Sequence, residues 1–197
     1  MEKIHNKTKD KILKLLLSNK KKEFTIRAIA KNIKIDYKSV YIAVNDLIKK
    51  ENINSKRAGQ SILCSANLKK FNSDVFRAET IRKQEILTNK DLHVLHNNIG
   101  EIKKPFFILL LFGSYASKEQ RKGSDIDLML ITDDEKVSER VKNIVRKTPL
   151  EIHLLDFSSE EFLSMLKTTE FNIGREAYYN NVILFGIEDY YRLIQNA

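Results

Sequence analysis

The stretch Phe106 to Thr132, FFILLLFGSYASKEQRKGSDIDLMLIT, constrains this chain more than any other. It opens on an unbroken apolar run, Phe106 to Phe112, too short for a membrane span and closed by Gly113, so the run predicts a fully buried strand. Gly113 and Ser114 then turn the chain into a short polar, amphipathic segment through Tyr115, Ala116, Ser117 and Lys118. After Gly123 and Ser124 a second strand, DIDLMLIT, is predicted, in which Asp125 and Asp127 alternate with Ile126 and Leu128. Two carboxylates therefore share one strand face, about 7 Å apart.

Paired carboxylates of this kind suit a divalent cation. Mg²⁺ favours hard oxygen ligands and keeps positions open for substrate phosphates, and two such ions in one site lie about 4 Å apart. A Gly-Ser pair leading from a strand into a helix offers amide N–H groups, a hydroxyl and a positive helix end to an anion, and glycine lets a phosphate come close to the backbone. A phosphate clasp and, eleven residues beyond Ser114, a metal-holding pair thus follow one another in the order that a nucleoside triphosphate site needs.

Gly113-Ser114, the nine residues after them, and Ser124-Asp125-Ile126-Asp127-Leu128 resemble the signature of the polymerase β-like nucleotidyltransferase superfamily, its small, minimal members above all. The resemblance covers residues 92–197. Many relatives carry Ala-Arg-Gly after the turn where this chain has Ala116-Ser117-Lys118, and Lys118 is the candidate to supply the positive charge. The resemblance implies nucleotide binding by Gly113, Ser114, Lys118 and Ser124, and metal binding and catalysis by Asp125 and Asp127. Mg²⁺ is the implied cofactor, with Mn²⁺ as a substitute, and a nucleoside triphosphate, ATP, is the implied substrate.

Composition limits the alternatives. A chain of 197 residues with 42% hydrophobic content has enough apolar side chains for one large or two small cores. No apolar run approaches the length of a membrane helix, and the charged start MEKIHNKTKDK lacks the apolar region of a secretory signal. Cys64 is the sole cysteine, so no internal disulfide forms and a reducing cytoplasm is the expected setting, with no membrane partner. The net charge of +9 is unevenly spread, with about +12 in residues 1–100 and about −3 in residues 101–197.

The basic half predicts helices. Ile12, Leu15, Leu16 and Leu17 mark the first, through about Ser18. Thr25 caps a second, IRAIAKNI, and Asp36 a third, DYKSVYIAVNDLIKKE, with Val40, Val44, Leu47 and Ile48 inward. Residues 53–65 then read as a β-hairpin around Lys56-Arg57-Ala58-Gly59-Gln60, with Gly59 in the turn. Three helices followed by a basic hairpin resemble a winged helix-turn-helix domain, a family whose third helix enters the DNA major groove and whose hairpin touches the backbone or minor groove. That resemblance implies DNA contact by Tyr37, Lys38, Ser39, Tyr41 and Asn45 on the third helix and by Lys56 and Arg57 at the hairpin tip. Modules of this type also serve protein contacts, including homodimer contacts.

The expected architecture is therefore α+β: a winged helix-turn-helix domain over 1–70, a helical connector over 71–91, and a nucleotidyltransferase domain over 92–197 with a mixed β-sheet flanked by helices. Ser73 is the expected cap of the connector helix. His93 and His96 lie one turn apart on the next helix with no third ligand nearby, which favours packing over metal binding. Downstream, a helix is expected from Ser138, and Pro149 introduces a third strand, LEIHLLDF, with Glu151, His153 and Leu155 on one face and Ile152, Leu154 and Asp156 on the other. Nucleotidyltransferases place a third carboxylate on this strand, and Glu151 is the candidate, as a third catalytic residue. Asp156 is a candidate cap of the following turn, and Ser158 or Ser159 is the expected cap of the helix SEEFLSMLK. The functional expectation is nucleotidyl transfer to an acceptor that the sequence does not specify. The competing class is a DNA-binding regulator or antitoxin whose second domain senses nucleotide or binds a protein partner.

Overall fold

The computed structural model describes residues 2–103, 106–121 and 123–195, with side chains from Asn6 onward. It divides into two compact units, Met1–Ile81 and Arg82–Ala197.

In the first unit, α1 (Glu2–Leu17), α2 (Ile26–Ile33) and α3 (Tyr37–Lys49) enclose a core. Apolar residues recur at helical spacing, so Ile12, Leu13, Leu16, Ile29, Val40, Val44 and Leu47 are all buried. Thr25 Oγ1 accepts from the Ala28 amide and starts α2. Asp36 accepts from the Ser39 amide and starts α3; these bonds also hold the Asp36 carboxyl below its ordinary range. Strands β2 (Ile53–Ala58) and β3 (Ser61–Ala66) form a hairpin, joined by Gly59 and Gln60, with Gly59 at φ +58°. A two-residue strand β1 (Phe24–Thr25), which alternation could not reveal, adds to β3 and completes a three-stranded antiparallel sheet in the order β1-β3-β2. Cys64 is buried in that sheet, and burial raises its thiol pKa to about 11.

Two expectations here are corrected. Lys56 and Arg57 are not at the hairpin tip; the two-residue turn pairs them with Leu63 and Ile62 inside the ladder, because Gly59 alone accommodates the positive φ. Helix α4 (Ser73–Ile86) is capped by Asn72, whose Oδ1 accepts from the Asp74 and Val75 amides, and Ser73 is its first residue.

In the second unit a mixed four-stranded sheet has the order β6-β5-β4-β7. The strands are β4 (Ile108–Phe112), β5 (Ile126–Ile131), β6 (Ile152–Phe157) and β7 (Asn181–Phe185). β5 is antiparallel to β4 and parallel to β6, and β7 is antiparallel to β4. β4 is buried at every position, as a strand covered on both faces must be. It starts two residues later than the apolar run, because Phe106 takes φ +73° and is exposed. On one sheet face Leu109, Leu111, Ile126, Leu128, Leu130, Val182 and Leu184 pack with Leu92, Leu95 and Ile99 of α5 (Lys90–Gly100) and with Val137 and Val141 of α7 (Glu135–Lys147). α8 (Ser159–Lys167), α9 (Ile173–Tyr179) and α10 (Ile187–Ile194) lie against strands of the same sheet.

α7 begins three residues before Ser138, where Asp134 accepts from the Lys136 and Val137 amides. Asp156 does not cap the next helix. It accepts from Ser138 Oγ at 2.7 Å and pairs with Lys142 at 2.8 Å, and these two partners hold its carboxyl low. Ser158 caps α8, as expected, in a capping box with Glu161. His96 stacks on Phe185 with centroids 4.4 Å apart, and burial lowers its pKa; it is a packing residue.

Candidate active site

β4 ends at Phe112, whose register partner on β5 is Asp127. The next residue, Gly113, opens α6 (Gly113–Ser117) at φ +66°. A β-carbon there would run into the Asp127 carboxylate, so two demands, left-handed backbone and absence of a side chain, meet at one position. Ala116 is buried in the core and Tyr115 packs against it, which fixes α6 on the sheet and leaves Ser114 half-buried. No side chain caps the start of α6. The amides there have positive character available for an anion.

Asn180, immediately before β7, donates from Nδ2 to the Gly113 carbonyl at 3.1 Å. Local pattern does not single out this residue, because the bond joins positions 67 apart and depends on β7 lying beside β4. Its one visible trace is that an amide side chain follows α9 and precedes an apolar strand.

Asp125 and Asp127 project from one face at the start of β5, with side chains 40% and 28% exposed. The parallel pairing of β5 with β6 sets His153 opposite Asp127. His153 Nε2 lies 3.6 Å from Asp125 Oδ2, and its Nδ1 3.6 Å from Asp127 Oδ1. Among the described residues no lysine or arginine pairs with either carboxylate. The two charges thus repel across a solvent-facing surface, where a bound cation would be favourable.

The remaining expected site residues are placed as follows. Glu151 lies one residue before β6; its carbonyl accepts from the Ile126 amide at 2.9 Å, which sets it beside Asp125, and its side chain is exposed. Lys118 ends α6 at φ +62°, and its ammonium pairs with Glu85 at 3.3 Å. Ser124 closes the loop between α6 and β5: its Oγ accepts from the Arg121 amide at 2.8 Å and its own amide donates to the Arg121 carbonyl. Ser117 Oγ donates back to the Gly113 and Ser114 carbonyls and so tightens α6.

On the first unit, Tyr37, Lys38 and Tyr41 are exposed on α3, whereas Ser39 and Asn45 are half-buried. The Tyr37 and Tyr41 rings stack with centroids 6.0 Å apart. They line a polar hollow of about 300 Å³ together with Thr25, Arg27, Gln60 and Ser61. Lys56 pairs with Glu23 at 2.8 Å, and Arg57 is exposed on β2.

Among the described residues no group of three or more His, Cys, Asp or Glu side chains is placed to hold a metal ion. The donor set nevertheless fits a divalent cation shared with substrate, since one or two carboxylates plus phosphate oxygens make the usual Mg²⁺ shell at such sites. The mixed sheet flanked by helices fits a nucleotidyltransferase domain, and on it the Gly-Ser turn is set against the strand-borne carboxylate pair. Residues 96–188 match the family model for polymerase beta nucleotidyltransferases, which supports that superfamily for this stretch and transferase activity at the general level. No curated protein and no solved structure gave a match to the chain. No helix of the described residues is long and apolar enough to cross a membrane.

Proposed function

We propose that the chain is a Mg²⁺-dependent nucleotidyltransferase that moves a nucleoside monophosphate, AMP from ATP, onto an acceptor, and that its first unit is a DNA-binding winged helix-turn-helix domain. The observation that carries the first part is the pair Asp125 and Asp127, which shares one partly exposed strand face, lacks a lysine or arginine partner among the described residues, and abuts the Gly113 turn. In this reading Asp125 and Asp127 hold the cation, Mg²⁺ or Mn²⁺, whose positive charge stabilises the triphosphate as it divides. Ser114 and the uncapped amides at the start of α6 orient the outer phosphates. Glu151, beside Asp125, accepts the proton of the acceptor hydroxyl as that oxygen bonds to the α-phosphorus and pyrophosphate leaves. Ser124 shapes the loop that brings Asp125 into place, and Lys118 exchanges its partner Glu85 for phosphate.

The winged-helix reading rests on the order of three helices and an antiparallel hairpin, with Tyr37, Lys38, Ser39, Tyr41 and Asn45 along α3 and Lys56 and Arg57 on β2. These groups supply hydrogen bonds and positive charge to a nucleic-acid backbone. A second reading, a DNA-binding regulator or antitoxin whose second unit senses nucleotide or binds a protein partner, is favoured by Lys118, whose charge is already engaged by Glu85.

Label transfer from α-labelled ATP to components of a cell extract separates the two. The enzyme reading expects transfer by the wild type and its loss, by a factor of about 100 or more, in Asp125→Asn. Undiminished transfer by that variant rejects the assignment. DNA retardation across a salt series with no transfer at all supports the regulator.

A further inference from the structure

The resemblance of the first unit to a winged helix sets Tyr37 and Tyr41 against duplex DNA, but it assigns nothing to the hollow that these rings line. We propose that the hollow is a subsite for one unpaired nucleobase and its adjoining phosphate, so that the first unit prefers single-stranded nucleic acid to closed duplex. This rests on the nucleic-acid reading of that unit and is independent of the chemistry of the second.

The shape comes first. Thr25 and Arg27 at the start of α2, Tyr37 and Tyr41 of α3, and Gln60 and Ser61 of the hairpin surround a space of about 300 Å³. That is the room of about ten waters, enough for one planar base. Tyr37 and Tyr41 stand one helical turn apart, 49% and 42% exposed. Their rings lie within 27° of parallel, with centroids 6.0 Å apart. Such a platform stacks a base of any identity. In a duplex the base faces are covered by their neighbours, so only an unpaired base can use it.

The polar groups fit the rest of a nucleotide. Among the described residues no side-chain hydrogen bond or ion pair engages Arg27, Tyr37, Tyr41 or Gln60, and the lining carries no carboxylate. The exposed Arg27 guanidinium therefore has its charge available to a phosphate, which it can meet with two parallel N–H donors. Tyrosine hydroxyls and the Gln60 amide supply donors and acceptors to a base edge. Arg57 is the register partner of Ile62, which also lines the hollow. Directly opposed residues of an antiparallel pair share a sheet face, so a second cation stands on that face of the hairpin. A mononucleotide has the same base and phosphate but lacks the flanking phosphates that a basic surface holds along a strand.

The test uses the full chain in EDTA, so that a divalent cation at the second unit plays no part. Fluorescence anisotropy follows a labelled single strand of about 15 nucleotides, near the upper site size of one small strand-binding module, and the duplex of the same sequence; AMP serves as competitor. The wild type is expected to bind the single strand about 10-fold more tightly than the duplex. Tyr37→Ala/Tyr41→Ala is expected to lose that preference, and Tyr37→Phe/Tyr41→Phe, which keeps the rings, to retain it. Arg27→Ala should reduce the slope of log affinity against log salt by about one. Circular dichroism confirms that the variants are folded. Equal wild-type affinity for the two forms, or unchanged single-strand affinity in the double alanine variant, overturns the inference and leaves duplex binding by the winged-helix reading intact. Displacement of the strand by AMP at equal concentration makes the hollow a mononucleotide site and also overturns it. Binding of neither form sinks the nucleic-acid reading of the first unit itself.

Discussion

Gly113 and Asp127 occupy adjoining space so closely that a single methyl group on the glycine would fall on the carboxylate. The turn that bends the chain out of β4 and the acid that sits on β5 are thus one mechanical unit. The backbone of the first can approach a ligand only because it has no side chain, and that same vacancy is what seats the second.

Gly113→Ala is expected to damage the site more than the fold. The left-handed backbone costs an alanine about 1–2 kcal/mol, and the added methyl displaces Asp127. Thermal unfolding should show a modest loss of stability, while label transfer should fall by a factor of about 100 or more, comparable to removing a transition-state donor. Transfer within a few-fold of wild type would show that the turn and the acid are not coupled in this way.

Asn180 holds the turn from the β7 side through its bond to the Gly113 carbonyl. Asn180→Ala removes one neutral hydrogen bond, which contributes about 1 kcal/mol. The nucleotide KM should rise by about 10-fold as the α6 amides lose their alignment, with kcat less affected. Steady-state kinetics over a range of ATP concentrations checks this split.

Asp74 gives the first unit a pH-dependent component of stability. Its side chain is 8% exposed and bonded to Lys50 at 2.9 Å and Arg77 at 2.8 Å. Burial works to raise its pKa, but the bonds to Lys50 and Arg77 outweigh burial and leave the carboxyl below its ordinary value. A depressed folded-state pKa stabilises the fold above the unfolded value, near pH 4, and that contribution disappears as pH falls through the folded value. Unfolding free energies from urea titration of wild type and Asp74→Asn should therefore differ by about 1–2 kcal/mol at neutral pH and converge in acid. A gap that stays constant down to pH 3 would contradict this origin.

Arg57 and Lys56 should differ in their effect on DNA binding. Lys56 is already paired with Glu23, so Arg57 has more charge to give a phosphate. In fluorescence anisotropy with a labelled duplex, Arg57→Ala should reduce the slope of log affinity against log salt by about one, and Lys56→Ala by less. Equal slopes for wild type and Arg57→Ala would remove the hairpin from the interface.

The elements of this protein that rest on local chemistry were legible in the sequence. Thr25 and Asp36 cap the helices that follow them, Gly59 turns the hairpin, and the apolar run before Gly113 is a buried strand. The period of two also placed Asp125 and Asp127 on one face. What escaped were consequences of strand pairing between distant segments. The short stretch VILF reads as an apolar fragment, yet as β7 it covers the free edge of β4 and delivers Asn180 to Gly113. His153 has no local mark, because only the parallel register of β5 and β6 sets it against the two aspartates. Caps, turns and alternation depend on neighbours within a few residues, so the sequence alone determined them to within a few positions, with Asn72 capping α4 one residue before Ser73 and Asp134 starting α7 four residues before Ser138. The composition of the site depends on which strands lie side by side and in what register, and hydrogen bonding and core packing settle that only in the assembled sheet.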